Sequence, residues 1–330
     1  MPEVLGFDIG GAHLKAANTR SSAIQVPFEL WKQPSALPDA LRSLLARGSG
    51  YDAIAATMTG ELCDCFATRN DGVEFILTAL QAAADSVPVW VWQSDGRFVS
   101  TEEARAQPAV VASANWLALA TFAGRYAQTG AALLIDVGST TTDIVPIVDG
   151  VPLPWGRTDR DRLRSGELLY TGVRRTPVCA VLGSEVVAEV FATTLDAYLL
   201  LGEIAEHPSD CFTADGRPAV KAGAHARLAR MMGEDAGTLA PEEAYSLASR
   251  IKQRQIHMIC QAIDRVCATL PARPNLAVLA GSGEFLAAQA LAAAGHSMVK
   301  PVSLGKILGQ ELSHAACAYA VAVLLLQESA

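Results

Sequence analysis

The chain has 330 residues, room for about two domains; 51% of them are apolar and 18% charged, which excludes a disordered polymer. Twenty-six Lys and Arg against 34 Asp and Glu leave a net charge of −8, which argues against nucleic acid as a partner but not against small anions held locally. No apolar run reaches the roughly 20 residues of a membrane span, and no basic-then-apolar leader opens the chain, so a cytoplasmic protein without a membrane partner is expected.

Val4–Ile9 reads as a strand, broken by Gly10-Gly11 and followed by strands over His13–Asn18 and Ser22–Phe28. Ser35–Arg47 reads as a helix, Ala53–Thr57 as a strand leading into Met58-Thr59-Gly60-Glu61, and Val73–Ala84 as a helix. Val87–Trp92 is a further strand and Asn115–Tyr126 an amphipathic helix. At Ala131 the pattern restarts: strand to Asp136, a Gly/Ser turn over Val137–Thr140, strand to Val148, then the tight turn Asp149-Gly150. Asp196 to about Leu270 is mostly helical, interrupted by a turn-rich stretch over Asp210–Pro218. Leu276–Ala280 returns to strand, Gly281-Ser282-Gly283-Glu284 opens a helix over Phe285–Ala294, and Gln310–Gln327 closes the chain as one helix.

Gly6-Phe7-Asp8-Ile9-Gly10-Gly11 and Leu134-Ile135-Asp136-Val137-Gly138-Ser139 form an internal repeat, with Asp8 and Asp136 lying 136 − 8 = 128 positions apart, about one domain. Backbone N–H groups of a Gly turn after a strand bind phosphate oxygens. Lys15 adds a cation beside the first turn, and Ser139, Thr140, Thr141 and Thr142 add hydroxyls at the second. Asp8 and Asp136 would repel phosphate without an intervening cation, so Mg²⁺ is the expected cofactor with both as ligands. Gly281, Ser282 and Gly283 stand at a helix N-terminus, a third anion-favouring loop. Each loop alone is an ordinary turn; their order and setting carry the reading. Seven Cys at irregular spacings predict reduced thiols, and Cys63-x-Cys65 lacks a second pair for zinc.

In this order, Asp8-Ile9-Gly10-Gly11, Asp136-Val137-Gly138-Ser139-Thr140-Thr141-Thr142-Asp143 and Gly281-Ser282-Gly283-Glu284 resemble the phosphate-1, phosphate-2 and adenosine motifs of the superfamily of acetate and sugar kinases, chaperone ATPases and actin. The second motif and Tyr170–Val178 are similar to the hydantoinase/oxoprolinase branch. Gly6–Ala17, Met58–Leu62 and Ala114-Asn115-Trp116 resemble a subgroup linked to tetrahydromethanopterin-dependent one-carbon metabolism, including methanofuran-biosynthesis synthases that join a tyramine-type phenol to an aminomethylfuran.

The resemblance implies an α/β fold of duplicated ribonuclease H-like (actin-like ATPase) domains with an interdomain cleft. The first domain would span 1–130, closed by a C-terminal helix at 310–328. The second would span 131–309 with a helical insert at about 196–270. The implied reaction is transfer of a furanylmethyl group from its diphosphate to a phenol. These small molecules are then the partners, and a homodimer is compatible with the reading. The alternatives are an ATP-dependent kinase or hydantoinase/oxoprolinase-like ligase, and a non-enzymatic nucleotide-binding regulator.

Asp8, Lys15, Glu61 and Asp136 are the expected catalytic residues. Glu61 would accept the phenol proton or bind the substrate's amine, against the alternative of a solvated loop carboxylate. Asn115, Trp116, Glu167 and Tyr170 are substrate-site candidates, with Trp116 either stacking on a substrate ring or filling a core. The mixed-charge run from Arg157 to Arg164 reads as a solvated loop, and His225, Arg227 and Arg230 as an exposed helix face. Thr193–Asp196 either caps a helix or faces the cleft.

Overall fold

The computed structural model of the chain describes residues 2–48, 50–296 and 298–328. It divides into two compact units: Met1–Ala132 with Val145–Asp161 and Val302–Ala330, and Leu133–Ile144 with Arg162–Pro301.

The first unit holds strands β1 (Val4–Ile9), β2 (His13–Asn18), β3 (Ala23–Pro27), β4 (Ala53–Met58), β5 (Val89–Trp92) and β6 (Phe98–Ser100) in the order β3-β2-β1-β4-β5-β6. β1–β2 and β2–β3 are antiparallel, whereas β1–β4 and β4–β5 are parallel. This is the ribonuclease H-like arrangement. Every residue of β1 is buried, as expected of a strand covered on both faces. Leu5, Phe7 and Ile9 pack with Leu37 and Leu41 of the helix Leu37–Leu45 and with Ile76 and Leu80 of the helix Arg69–Ala84. Gly6 meets the helix Ala316–Glu328, where a Cβ would stand 1.9 Å from the Ala318 carbonyl oxygen, so only glycine permits that approach.

The second sheet joins β7 (Ala131–Val137), β8 (Thr142–Val148), β10 (Leu168–Leu169), β11 (Leu276–Ala280) and β12 (Lys300–Ser303) in the order β10-β8-β7-β11-β12, with β9 (Val151–Pro152) paired to β8. It repeats the chain order of the first sheet. Leu133, Ile135 and Val137 of β7 pack with Ile259 and Ile263 of the helix Pro241–Cys267 and with Leu286 and Leu291 of the helix Glu284–Ala293. Helices Thr194–Leu201, Lys221–Met231 and Pro241–Cys267 fill the region read as helical.

Three expectations need correction. The closing helix is two, Gln310–His314 and Ala316–Glu328, interrupted at Ala315. The Arg157–Arg164 run contains a helix, Asp159–Ser165, started by Thr158 Oγ1, which accepts from Asp161 N–H (3.2 Å). Arg162 on it is 1% exposed and donates to Asp143 Oδ1 at 2.8 Å. Arg227 is not on an exposed face: it is buried, with Asp196 at 2.8 Å and Asp215 at 3.0 Å neutralising its charge. The Thr193–Asp196 cluster forms a capping box, the Asp196 carboxylate accepting from Thr193 N–H (2.9 Å).

Candidate functional site

The first Gly turn grows from the end of β1. Gly10 N–H donates to His13 O (3.1 Å) and closes the turn. A passing segment takes its carbonyls: Leu30 N–H donates to Gly11 O (2.9 Å) and Phe28 N–H to Ala12 O (3.0 Å). Among the described hydrogen bonds, the N–H groups of Gly11 and Ala12 donate to nothing, which leaves them available to an anion. Thr59 and Gly60 N–H both donate to Ile9 O at 3.0 Å, laying Thr59-Gly60-Glu61 against the turn.

Asp8 faces Lys15 across the β1–β2 register, with Lys15 Nζ 3.4 Å from Asp8 Oδ2. Asp8 is 4% exposed, and its Oδ1 is buried without a hydrogen-bond partner. An orphaned anionic oxygen is destabilising unless a cation or donor completes it. Mg²⁺ is held by one or two carboxylates together with water and phosphate oxygens, so this donor fits. No group of three or more His, Cys, Asp and Glu suited to a metal exists among the described residues.

Glu61 is fully buried, not a solvated loop carboxylate. The Ser113 hydroxyl donates to its Oε1 (2.8 Å), Arg69 Nε stands 4.0 Å from the same oxygen, and Oε2 has no partner. Arg69 continues to Asp159 Oδ2 at 3.4 Å. Burial pushes the Glu61 pKa up to about 7, offset in part by the Ser113 hydrogen bond and by Arg69. Such a group takes or gives a proton near neutral pH. Ser113, whose hydroxyl donates to Glu61, holds a φ of 50°, a strained backbone for a non-glycine residue.

The second Gly turn has the same construction at the end of β7. Gly138 N–H donates to Thr141 O (2.8 Å). Val173 N–H donates to Gly138 O (3.0 Å), and Arg174 and Arg175 N–H donate to Ser139 O (3.0 and 2.9 Å). Among the described hydrogen bonds, Ser139 and Thr140 N–H donate to nothing, and their hydroxyl oxygens lie 3.4 Å apart. The third loop leans on this turn. Gly283 N–H donates to Val137 O (2.8 Å), and a Cβ on Gly281 (φ +87°) would stand 2.3 Å from Asp136 Oδ1. Asp136, Gly138–Thr141 and Gly281 are half-buried and Ser282 is exposed, whereas Thr142, expected to offer a hydroxyl here, is fully buried with that hydroxyl donating to Thr171 O (2.7 Å).

The substrate-site candidates divide. Asn115 Oδ1 accepts from Trp116 N–H (2.8 Å), and Trp116 is 2% exposed, a core residue with no open ring face. Glu167 is buried, with Ser165 Oγ donating to its Oε2 (2.9 Å), while Tyr170 is exposed. Sequence reading missed Ser113, Arg69 and Asp159 around Glu61. It also missed Gln255, a polar residue in the apolar row Leu247, Ile251, Ile259 and Ile263 at four-residue spacing, which is a detectable signal.

No helix of the described residues is long and apolar enough to cross a membrane. Residues 52–328 match the Hydantoinase/oxoprolinase family. The chain is 32% identical over 335 residues, 98% of its length and 97% of the relative's, to (4-{4-[2-(gamma-L-glutamylamino)ethyl]phenoxymethyl}furan-2-yl)methanamine synthase of Methanocaldococcus jannaschii. The Methanococcus vannielii protein of the same name is 32% identical over 59% of this chain and 91% of its own. Among solved structures, nucleotide-free acetone carboxylase matches 97% of this chain and 70% of that one with a TM-score of 0.51 at 10% identity, which shows a shared fold. The chain therefore belongs to the hydantoinase/oxoprolinase family, as an enzyme of the group that includes these two synthases.

Proposed function

We propose that the protein joins a tyramine- or tyrosine-type phenol to an aminomethylfuran diphosphate, forming an aryl furanylmethyl ether and releasing diphosphate in methanofuran-type cofactor biosynthesis. The relationship to two synthases whose name specifies a phenoxymethylfuran product carries this reading. The phenol oxygen bonds to the furanylmethyl carbon, the carbon–oxygen bond to diphosphate breaks, and the phenol proton passes to a base. The furan stabilises positive charge at the reacting carbon, so the protein's tasks are to hold diphosphate, to stabilise its growing charge and to aim the phenol. The unoccupied N–H groups of the two Gly turns, Lys15 and the Ser139–Thr141 hydroxyls suit the first two tasks. Mg²⁺, with Asp8 and Asp136 as its ligands, would neutralise the diphosphate. Glu61, held near neutral pKa, suits the proton or the substrate's amine.

The substrate brings its own leaving group, so nucleotide hydrolysis adds nothing to the bond-forming step. Apyrase-treated protein, given the furanylmethyl diphosphate, a phenol and Mg²⁺, is expected to yield the ether and free diphosphate by mass spectrometry. Product that appears only with added ATP, together with ADP, replaces this reading by an ATP-dependent kinase or ligase.

A further inference from the structure

Gln255 lies in the helix Pro241–Cys267 and is fully buried. Packing alone is met better there by Leu or Met, because a buried amide destabilises unless its polar atoms are bonded. Both ends of this amide are bonded. Nε2 donates to Thr171 Oγ1 (2.7 Å) and Gly172 O (3.0 Å), and the buried Tyr198 hydroxyl donates to Oε1 (2.7 Å). Gly172 O also accepts from Thr194 Oγ1 (2.8 Å), and Thr171 O accepts from Thr142 Oγ1 (2.7 Å). The Tyr198 ring meets Phe285 edge-on at 5.2 Å, in the first turn of the helix that follows the third loop.

The bonded segment is the one that shapes the second Gly turn. Val173, Arg174 and Arg175 N–H occupy the Gly138 and Ser139 carbonyls. A Cβ on Gly172 would stand 2.6 Å from Gly138 O, Ser139 C and Thr140 N, so the two backbones touch with no side chain between them. Displacing Gly172 therefore displaces the turn. We propose that Gln255 is a positioning residue: it sets the place of the Thr171-Gly172 backbone and thereby aims the Ser139 and Thr140 N–H groups at one anion. The catalytic consequence rests on the reading that this turn holds the substrate's diphosphate.

Gln255→Met keeps length and volume and deletes the hydrogen bonds. Amide exchange is expected to accelerate in peptides covering 138–141 and 171–175, while the turn at 10–13 stays unchanged. The Kd of inorganic diphosphate with Mg²⁺, by calorimetry, rises about tenfold. The KM for the furanylmethyl diphosphate rises with it, and that for the phenol does not. Tyr198→Phe removes only the hydroxyl that orients the amide and gives the same pattern at about threefold, which serves if Gln255→Met does not fold. Unchanged exchange at 138–141 in the folded variants overturns the proposal. If the parent protein binds no diphosphate, the proposed reaction fails while the exchange result still decides whether Gln255 positions the turn.

Discussion

The two Gly turns share one backbone design and differ in what surrounds it. In each, a Gly N–H closes on the carbonyl three residues on, a passing segment takes two carbonyls of the turn, and two N–H groups are left over. Around the first turn the side chains are charged: Lys15 on Asp8, then Glu61, Arg69 and Asp159. At the second, Asp136 lies beside the turn, but the Thr171-Gly172 backbone that braces it is held by neutral hydroxyls and an amide: Thr142, Thr171, Thr194, Tyr198 and Gln255. The duplicated backbone leaves two N–H groups over at each turn, whereas the side chains packed around the turns differ in charge.

The sharpest way to break this comparison is to remove the carboxylate at each turn. Asp8→Ala and Asp136→Ala are each expected to lower kcat by about a thousandfold with the circular dichroism spectrum retained. A loss confined to Asp136→Ala would make Asp8 a partner for Lys15 alone.

Rigidity is compared through the glycines that brace each turn. In Gly172→Ala the new Cβ meets turn backbone at 2.6 Å, whereas in Gly60→Ala it meets the end of Leu30 at 2.8 Å and Gly10 backbone at 3.2 Å. Denaturant unfolding should show a cost of about 3 kcal/mol for the first and about 1 kcal/mol for the second. Equal costs would mean that the turns are braced alike.

The charged side of the comparison is read by pH. Glu61 titrates at about 7 in the folded chain against an ordinary 4.5. Between those values the unfolded chain has released a proton that the folded chain keeps, so stability falls as pH rises through this window. Glu61→Gln avoids that loss and should be more stable than the parent by about 2–3 kcal/mol at pH 8, with no advantage at pH 4. A pH-independent difference would place Glu61 outside this account.

The smallest expected effect concerns the cation. Diphosphate should bind about tenfold more tightly with Mg²⁺ than with EDTA, because two carboxylates repel the bare polyanion. Equal affinities would show that neither Asp8 nor Asp136 faces the anion.

The turns were readable from the sequence because everything that defines them is local: a strand, an Asp, a Gly and a small residue within six positions. The surroundings were not. Ser113 reaches Glu61 across 52 positions, and its left-handed φ of 50° falls on a residue type that does not announce it. Arg162 and Arg227 looked solvated because their neutralising partners, Asp143 and Asp196, come from other elements. Gln255 stands out in its apolar row, but nothing local names Thr171 and Gly172 as its targets.

Gly6 carries a consequence for how the chain is made. Its strand leaves the ribosome before any of the second unit, yet the helix that covers it, Ala316–Glu328, follows that whole unit in the chain. The first sheet must wait, one face uncovered, while residues of the second unit emerge. Its completion is a high-contact-order step, slower than local helix formation and exposed to mispairing during the delay. Early collapse should accordingly favour the second unit, whose segments Leu133–Ile144 and Arg162–Pro301 are separated only by Val145–Asp161.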